Sequence, residues 1–232
     1  MMRAAVLAAL LPFFVAPASA QIRPVKGGVR ADGIAAVVGA HAPVAGADVI
    51  LQSDVELRAR MHLAGRVSEG TTTARPSRGL LRASLDELVG EVLIAREASR
   101  VRVSVPSDEA IERERRRLQR LAGGPERLSE VLHAMGASPA EVEAMARRRA
   151  TVQAFLNANL EGSTVVTDGE LQRVHEAGEH PFVGKPLDDV RDALRAWISR
   201  QALERAVRRW VAVLRERTTV RVLAPYGAAA EE

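Results

Sequence analysis

The residues best equipped for chemistry in this 232-residue chain are His175-Glu176 and Glu179-His180. They come near the H-E-x-x-H pattern, in which two histidines one helical turn apart share a metal ion. Here the histidines lie five positions apart, which sets them about 140° from each other on a helix, and Gly178 interrupts. The group is read as exposed polar residues beside a loop, and no metal site is expected. His41, His62 and His133 stand alone and are read as surface or local capping residues. The chain has no cysteine, which removes thiolate catalysis, redox exchange and cysteine metal sites together. It also lacks a GxSxG elbow, a phosphate-binding glycine loop and a GxGxxG turn after a strand. Asp188-Asp189 opens a helix, where carboxylates favour the positive end of the dipole and need no acid–base role. No catalytic residue and no cofactor are expected.

Charge and composition narrow the classes further. The formal charge is +4, carried by arginine, since lysine occurs only at Lys26 and Lys185. Acidic residues nearly match the basic ones and alternate with them, as in Glu112-Arg113-Glu114-Arg115, so the basic runs read as solvated helix faces. Between residues 21 and 232 the aromatic residues are Phe155, Phe182, Tyr226, Trp197 and Trp210, too few for stacking nucleic-acid bases. Residues 1–20 have a positive start at Arg3, an apolar run from Ala4 to Val15 and a small-residue site at Ala18-Ser19-Ala20. This is the pattern of a cleavable secretory signal, with cleavage after Ala20. An uncleaved anchor is the alternative, although the run is short against the ~20 apolar residues of a membrane span.

The elements that would position any site are mostly helical. Residues 21–31 form a flexible lead-in rich in Pro and Gly. Ile34 to Val38 and Val49 to Leu51 read as short strands, and a helix starts at Ser53 or Asp54 and ends near Ala64. Ser68 to Arg78 is a polar loop. Leu81, Leu85, Leu88, Val92 and Ala95 mark the buried stripe of the next helix, Leu80 to Arg100. Ser107 opens another helix and Gly123-Gly124-Pro125 stops it. A shorter one, Glu126 to Met135, ends at Gly136, and Ser138-Pro139 opens the next, with Val142, Met145, Val152, Phe155, Leu156 and Leu160 on its stripe. Thr167-Asp168 caps a short helix to about Ala177.

The last helix, Leu187 to about Glu216, carries two apolar sets. Leu187, Val190, Leu194, Trp197 and Ile198 point one way; Leu203, Val207, Trp210, Val211 and Leu214 point nearly opposite. One long helix whose halves bury different faces explains this, as would a bend near Arg200. Thr218 to Leu223 alternates as a strand and can pair only with the N-terminal strands, so the two ends of the chain meet in one small sheet. The expected fold is mainly α: a compact multi-helix domain with a small sheet made of the N-terminal strands and the C-terminal strand.

The stretch DGIAAVVGAHAPVAGADVILQSDVELR (Asp32 to Arg58) resembles the opening of the SurA family of periplasmic chaperones. SLDELVGEVLIAREASRVRV (84–103), Pro106 to Leu118 and Ser138 to Thr167 resemble the helices that follow in that family. Val190 to Leu223 resembles its last helix and closing strand, including Trp210. In the family, parvulin-type prolyl isomerase domains lie before the last helix. Here that interval is GEHPFVGKP (178–186), too short for a domain of ~50 residues.

The resemblance implies a SurA N-terminal or trigger-factor-like peptide-binding domain at 32–177 and a short linker at 178–186 in place of isomerase domains. A returning helix and strand at 187–223 and a disordered tail at 224–232 complete the chain. It further implies a periplasmic, ATP-independent chaperone, without isomerase activity, for unfolded secreted or outer-membrane polypeptides. The interleaved charges and scarce aromatics predict no nucleic-acid partner, and the lack of a second long apolar stretch predicts no stable membrane insertion. A scaffold of the same fold that binds one specific partner is the alternative. Met61, Met135 and Met145, with Leu57, Leu132 and Phe155 beside them, are the candidate peptide contacts, because flexible thioethers repack around varied sequences. Ordinary core packing would use the same six residues.

Overall fold

A computed structural model describes residues 32–39, 46–66, 75–103, 105–160 and 166–224. The expected signal (1–20), the lead-in (21–31), residues 40–45 between the two expected strands, most of the 68–78 loop and the tail from 225 onward lie outside these residues. The chain divides at Ala31, and Asp32–Glu232 forms one unit.

Two strands open that unit, β1 (Ile34–Val38) and β2 (Asp48–Leu51). Among the described residues seven helices follow: α1 (Gln52–Arg66), α2 (Arg78–Arg100), α3 (Asp108–Leu121), α4 (Pro125–Met135), α5 (Pro139–Leu160), α6 (Asp168–Ala177) and α7 (Leu187–Arg217). Strand β3 (Val220–Val222) closes the order. The fold is mainly helical with one antiparallel sheet of order β2-β1-β3. In its register Ala36 stands opposite both Ile50 and Val222, and Val37 opposite Val49 and Arg221.

Strand β3 pairs with β1, as the alternation at 218–223 predicts. Beyond β3, the N–H groups of Leu223 and Ala224 both donate to Ala35 O, at 2.8 and 3.1 Å. Ala224 is buried, so the expected tail 224–232 starts one residue too early. The start of α1 also differs in detail from the expectation at Ser53 or Asp54. The helix begins at Gln52, Asp54 accepts from Leu51 N–H at 2.9 Å, and Asp32 accepts from both the N–H and the hydroxyl of Ser53. A carboxylate 21 residues upstream thus satisfies a free donor of the first turn. Ser77, Ser107 and Thr167 cap α2, α3 and α6 through their side-chain oxygens. Gly136 ends α4 at φ 65°, a left-handed conformation that glycine adopts without a Cβ clash.

Among the described residues three apolar clusters form the interior. The first joins the inner face of the sheet to α2, Phe155, Leu156 and Leu214, with Phe155 and Trp210 edge to face at 4.9 Å. The second packs α1, α3, α4 and the first half of α5 around Met61, Leu118 and Val131. The third is small: Leu171, Leu194 and Ile198, covered by Val174, Phe182 and Trp197.

Helix α7 runs without interruption through two of these clusters, the first half in the third cluster and the second half in the first. That is the two-faced helix its periodicity predicts. Helix α6, placed by sequence in a domain 32–177, instead shares the third cluster with α7. Its apolar residues Leu171 and Val174 lie in that cluster with Leu194, Ile198 and Trp197. The nine residues 178–186 also fold as part of this unit rather than as a bare linker. Gly178 caps α6 at φ 71°, His180 is buried and Phe182 packs into the cluster.

Candidate functional site

A groove of about 960 Å³ runs between α2, α5 and the second half of α7. It arises because α2 has residues of two kinds on its α7-facing side. Ala83, Gly90 and Ile94 form the apolar base, and Asp86 and Glu87 stand above it. Gly90 faces α7: a Cβ placed there would sit 3.5 Å from Val211 Cγ2, in ordinary contact. Val152 and Leu156 of α5 and Val207 and Val211 of α7 complete an apolar floor. The opposite rim carries Glu204, Arg208 and Arg215 of α7. Arg215 reaches across to Asp86 at 2.9 Å and ties α7 to α2.

The inner end of the groove is a charged network that links four helices. Arg58 of α1 is fully buried, and its guanidinium grips Glu91 of α2 through two hydrogen bonds of 2.9 and 3.0 Å. Arg149 of α5 donates to the same carboxylate at 2.8 Å and approaches Glu114 of α3 at 3.5 Å. Glu114 also accepts from Arg117 at 2.6 Å. On the solvent side, Glu87 lies 3.0 Å from His62 and 3.4 Å from Arg58. Burial pulls the Arg58 guanidinium toward neutrality, but the charges and hydrogen bonds of Glu91 and Glu87 outweigh it and hold its pKa above the ordinary value. Burial likewise pushes the Glu87 carboxyl up. The hydrogen bond and charge at His62, together with Arg58, more than reverse this and leave it below the ordinary carboxylate range. Arg58 Nε and Ser84 Oγ are buried without a hydrogen-bond partner among the described residues.

The six residues proposed from sequence for peptide contact line none of this groove. Leu57, Met61, Leu132, Met135 and Met145 come together, but inside the second cluster, where Leu57, Met61 and Met145 are buried and Leu132 and Met135 half-buried. Phe155 lies apart from them in the first cluster against Trp210. Helical periodicity explains both outcomes, since it identifies a buried face without saying what covers it. The lining residues missed at sequence level left two signals. Gly90 interrupts an otherwise strong helix former, a sign of close packing or use. Val207 and Val211 belong to the second stripe of α7, the one that turns away from α6.

His175 and His180 are brought together by the turn after α6, their rings stacked at 5.3 Å. Their ring nitrogens serve the backbone: His175 Nε2 meets Lys185 O at 2.9 Å, and Phe182 N–H donates to His180 Nδ1 at 3.1 Å. Among the described residues no group of three His, Cys, Asp or Glu side chains is placed to hold a metal. No described helix is long and apolar enough to cross a membrane.

Fold and groove together define a helical domain, closed by a sheet of its two ends, with an amphipathic channel along its longest packed helices. No family model matches the chain, and no curated protein matches its sequence.

Proposed function

We propose that this chain is an ATP-independent periplasmic chaperone that holds extended segments of unfolded secreted or outer-membrane polypeptides and has no prolyl isomerase activity. The observation that carries this reading is the groove itself, an apolar floor between charged rims on three helices. From Ala83 to Ile94 it follows α2 for about 16 Å, the length of roughly five residues of extended chain. Such a floor accepts apolar side chains of many shapes, while Asp86, Glu204 and Arg208 at the rim stay in water beside the client's polar backbone. Holding of this kind needs many weak contacts and no nucleotide. The resemblance of Asp32 to Arg58 and Val190 to Leu223 to SurA chaperones supports the same reading, and 178–186 leaves no room for an isomerase domain.

The test is suppression of aggregation of a urea-unfolded outer-membrane protein on dilution, alongside an assay of proline isomerisation. The chain is expected to delay aggregation at near-equimolar ratio and to leave the isomerisation rate at background. Binding to one peptide alone, with no effect on aggregation, would identify a dedicated scaffold instead.

A further inference from the structure

We propose that a second cleft, on the opposite face of α2, binds an anionic amphiphile: a carboxylate, phosphate or sulfate group joined to an apolar tail. The cleft holds about 890 Å³ and shares no lining residue with the groove described above. Ala144, Arg147, Arg148 and Thr151 face it from α5 at spacings of three and four, which places them on one side of that helix. Arg96, Ser99 and Arg100 face it from α2, and Thr218 closes the end beside β3.

Charge in the cleft is unbalanced. Four arginines line it against two carboxylates, Asp48 and Glu97. Arg96 is matched by Asp48 at 2.6 Å and Arg100 by Glu97 at 2.7 Å. Among the described residues the Arg147 side chain pairs with Glu143, outside the cleft, at 3.3 Å. Arg148 is partly shielded from solvent and has no hydrogen bond or ion pair among the described residues. A guanidinium held at such a wall presents a planar fork of donors matched to the paired oxygens of a carboxylate or phosphate.

The floor specifies the rest of the ligand. Val92, Leu93 and Leu214 reach it from the first cluster, and Val49 is 42% exposed at its side. Ala95, Ser99 and Ala144 are small and leave the space above them open. A bare inorganic anion would leave this floor wet, and a neutral apolar molecule would leave Arg148 unmatched. An anion with an apolar tail satisfies both.

Calorimetric titration of the full chain tests this, with dodecanoate and dodecyl phosphate below their micellar concentrations as probes. Dodecyl maltoside and inorganic phosphate serve as controls, and vesicles of phosphatidylglycerol distinguish a bilayer headgroup from a free amphiphile. The expected result is saturable one-to-one binding of the dodecyl anions, with both controls weaker by about tenfold or more. Arg148→Gln should lower the affinity by a similar factor, and Ala144→Trp, which fills the cleft from an exposed position, should abolish binding; neither should lower the melting temperature. Binding of vesicles alone, lost in Arg148→Gln, would assign the anion to a bilayer headgroup and support the same site. Equal binding of dodecyl maltoside, an unchanged affinity in Arg148→Gln, or no binding of any probe would overturn the proposal.

Discussion

Arg58 and Glu91 face each other in a two-bond fork, at 2.9 and 3.0 Å, from side chains only 1% and 13% exposed. Arg58 comes from α1 and Glu91 from α2, and Glu91 also lines the groove. Arg58→Ala leaves Glu91 with Arg149 alone in a partly desolvated place and should cost about 3–5 kcal/mol in urea unfolding. The double variant Arg58→Met, Glu91→Leu removes both charges together and should recover most of that loss. Equal destabilisation by the single and double variants would mean that packing volume, not charge, is what Arg58 supplies.

Acid should weaken the outer part of the same network. The Glu87 carboxyl lies below its ordinary value of 4.5, so its contribution to stability is fully present above about that pH. That contribution is lost as pH falls through the lower folded-state value, where the unfolded chain already binds the proton. With the Glu87 side chain 46% exposed, solvent screening keeps the effect below about 1 kcal/mol. Urea midpoints compared at pH 6 and pH 3 should therefore fall slightly less for Glu87→Gln than for the parent chain. His62→Ala should reduce the difference in the same direction.

The third cluster is small enough to open alone. Leu194 is fully buried between α6 and α7, and Leu194→Ala should cost about 2–5 kcal/mol in local opening of that cluster. Hydrogen exchange should then accelerate in α6 and the first half of α7, with α2 unchanged. Phe155→Ala, by contrast, removes the ring beneath Trp210 in the first cluster and should lower global stability by about 3–5 kcal/mol.

Asp32 holds the start of α1 from a distance in sequence. Asp32→Ala frees the Ser53 N–H and hydroxyl together and should cost about 1 kcal/mol, the scale of a lost helix cap. Asp32→Asn, which keeps an acceptor, should recover part of it.

Local chemistry made much of this fold legible in the sequence. Ser107, Thr167 and Gly136 mark helix ends through their own side chains or backbone, and the alternation at 218–223 finds β1 because few other strands exist. The change of stripe along α7 identifies a helix with two partners. The groove was hidden because it is a gap between faces. Periodicity places Val152, Val207 and Gly90 on buried sides but cannot say that these sides stop short of one another. Met61 and Met145 carry the flexible side chains suited to an adaptable surface, yet α3 and α4 close over them. Arg58 was hidden for another reason. Its carboxylate partner lies 33 residues away, and nothing local separates a buried arginine from those on solvated faces.

Val211 of α7 gives the most direct access to the proposed holding activity, because it forms the groove floor beside Gly90 and is half-buried. Aggregation of a urea-unfolded outer-membrane protein should be delayed by the parent chain. Val211→Glu should lose most of that delay while keeping its helical circular dichroism. Equal suppression by a folded Val211→Glu variant, or none by the parent chain, would contradict a client-holding role for the groove.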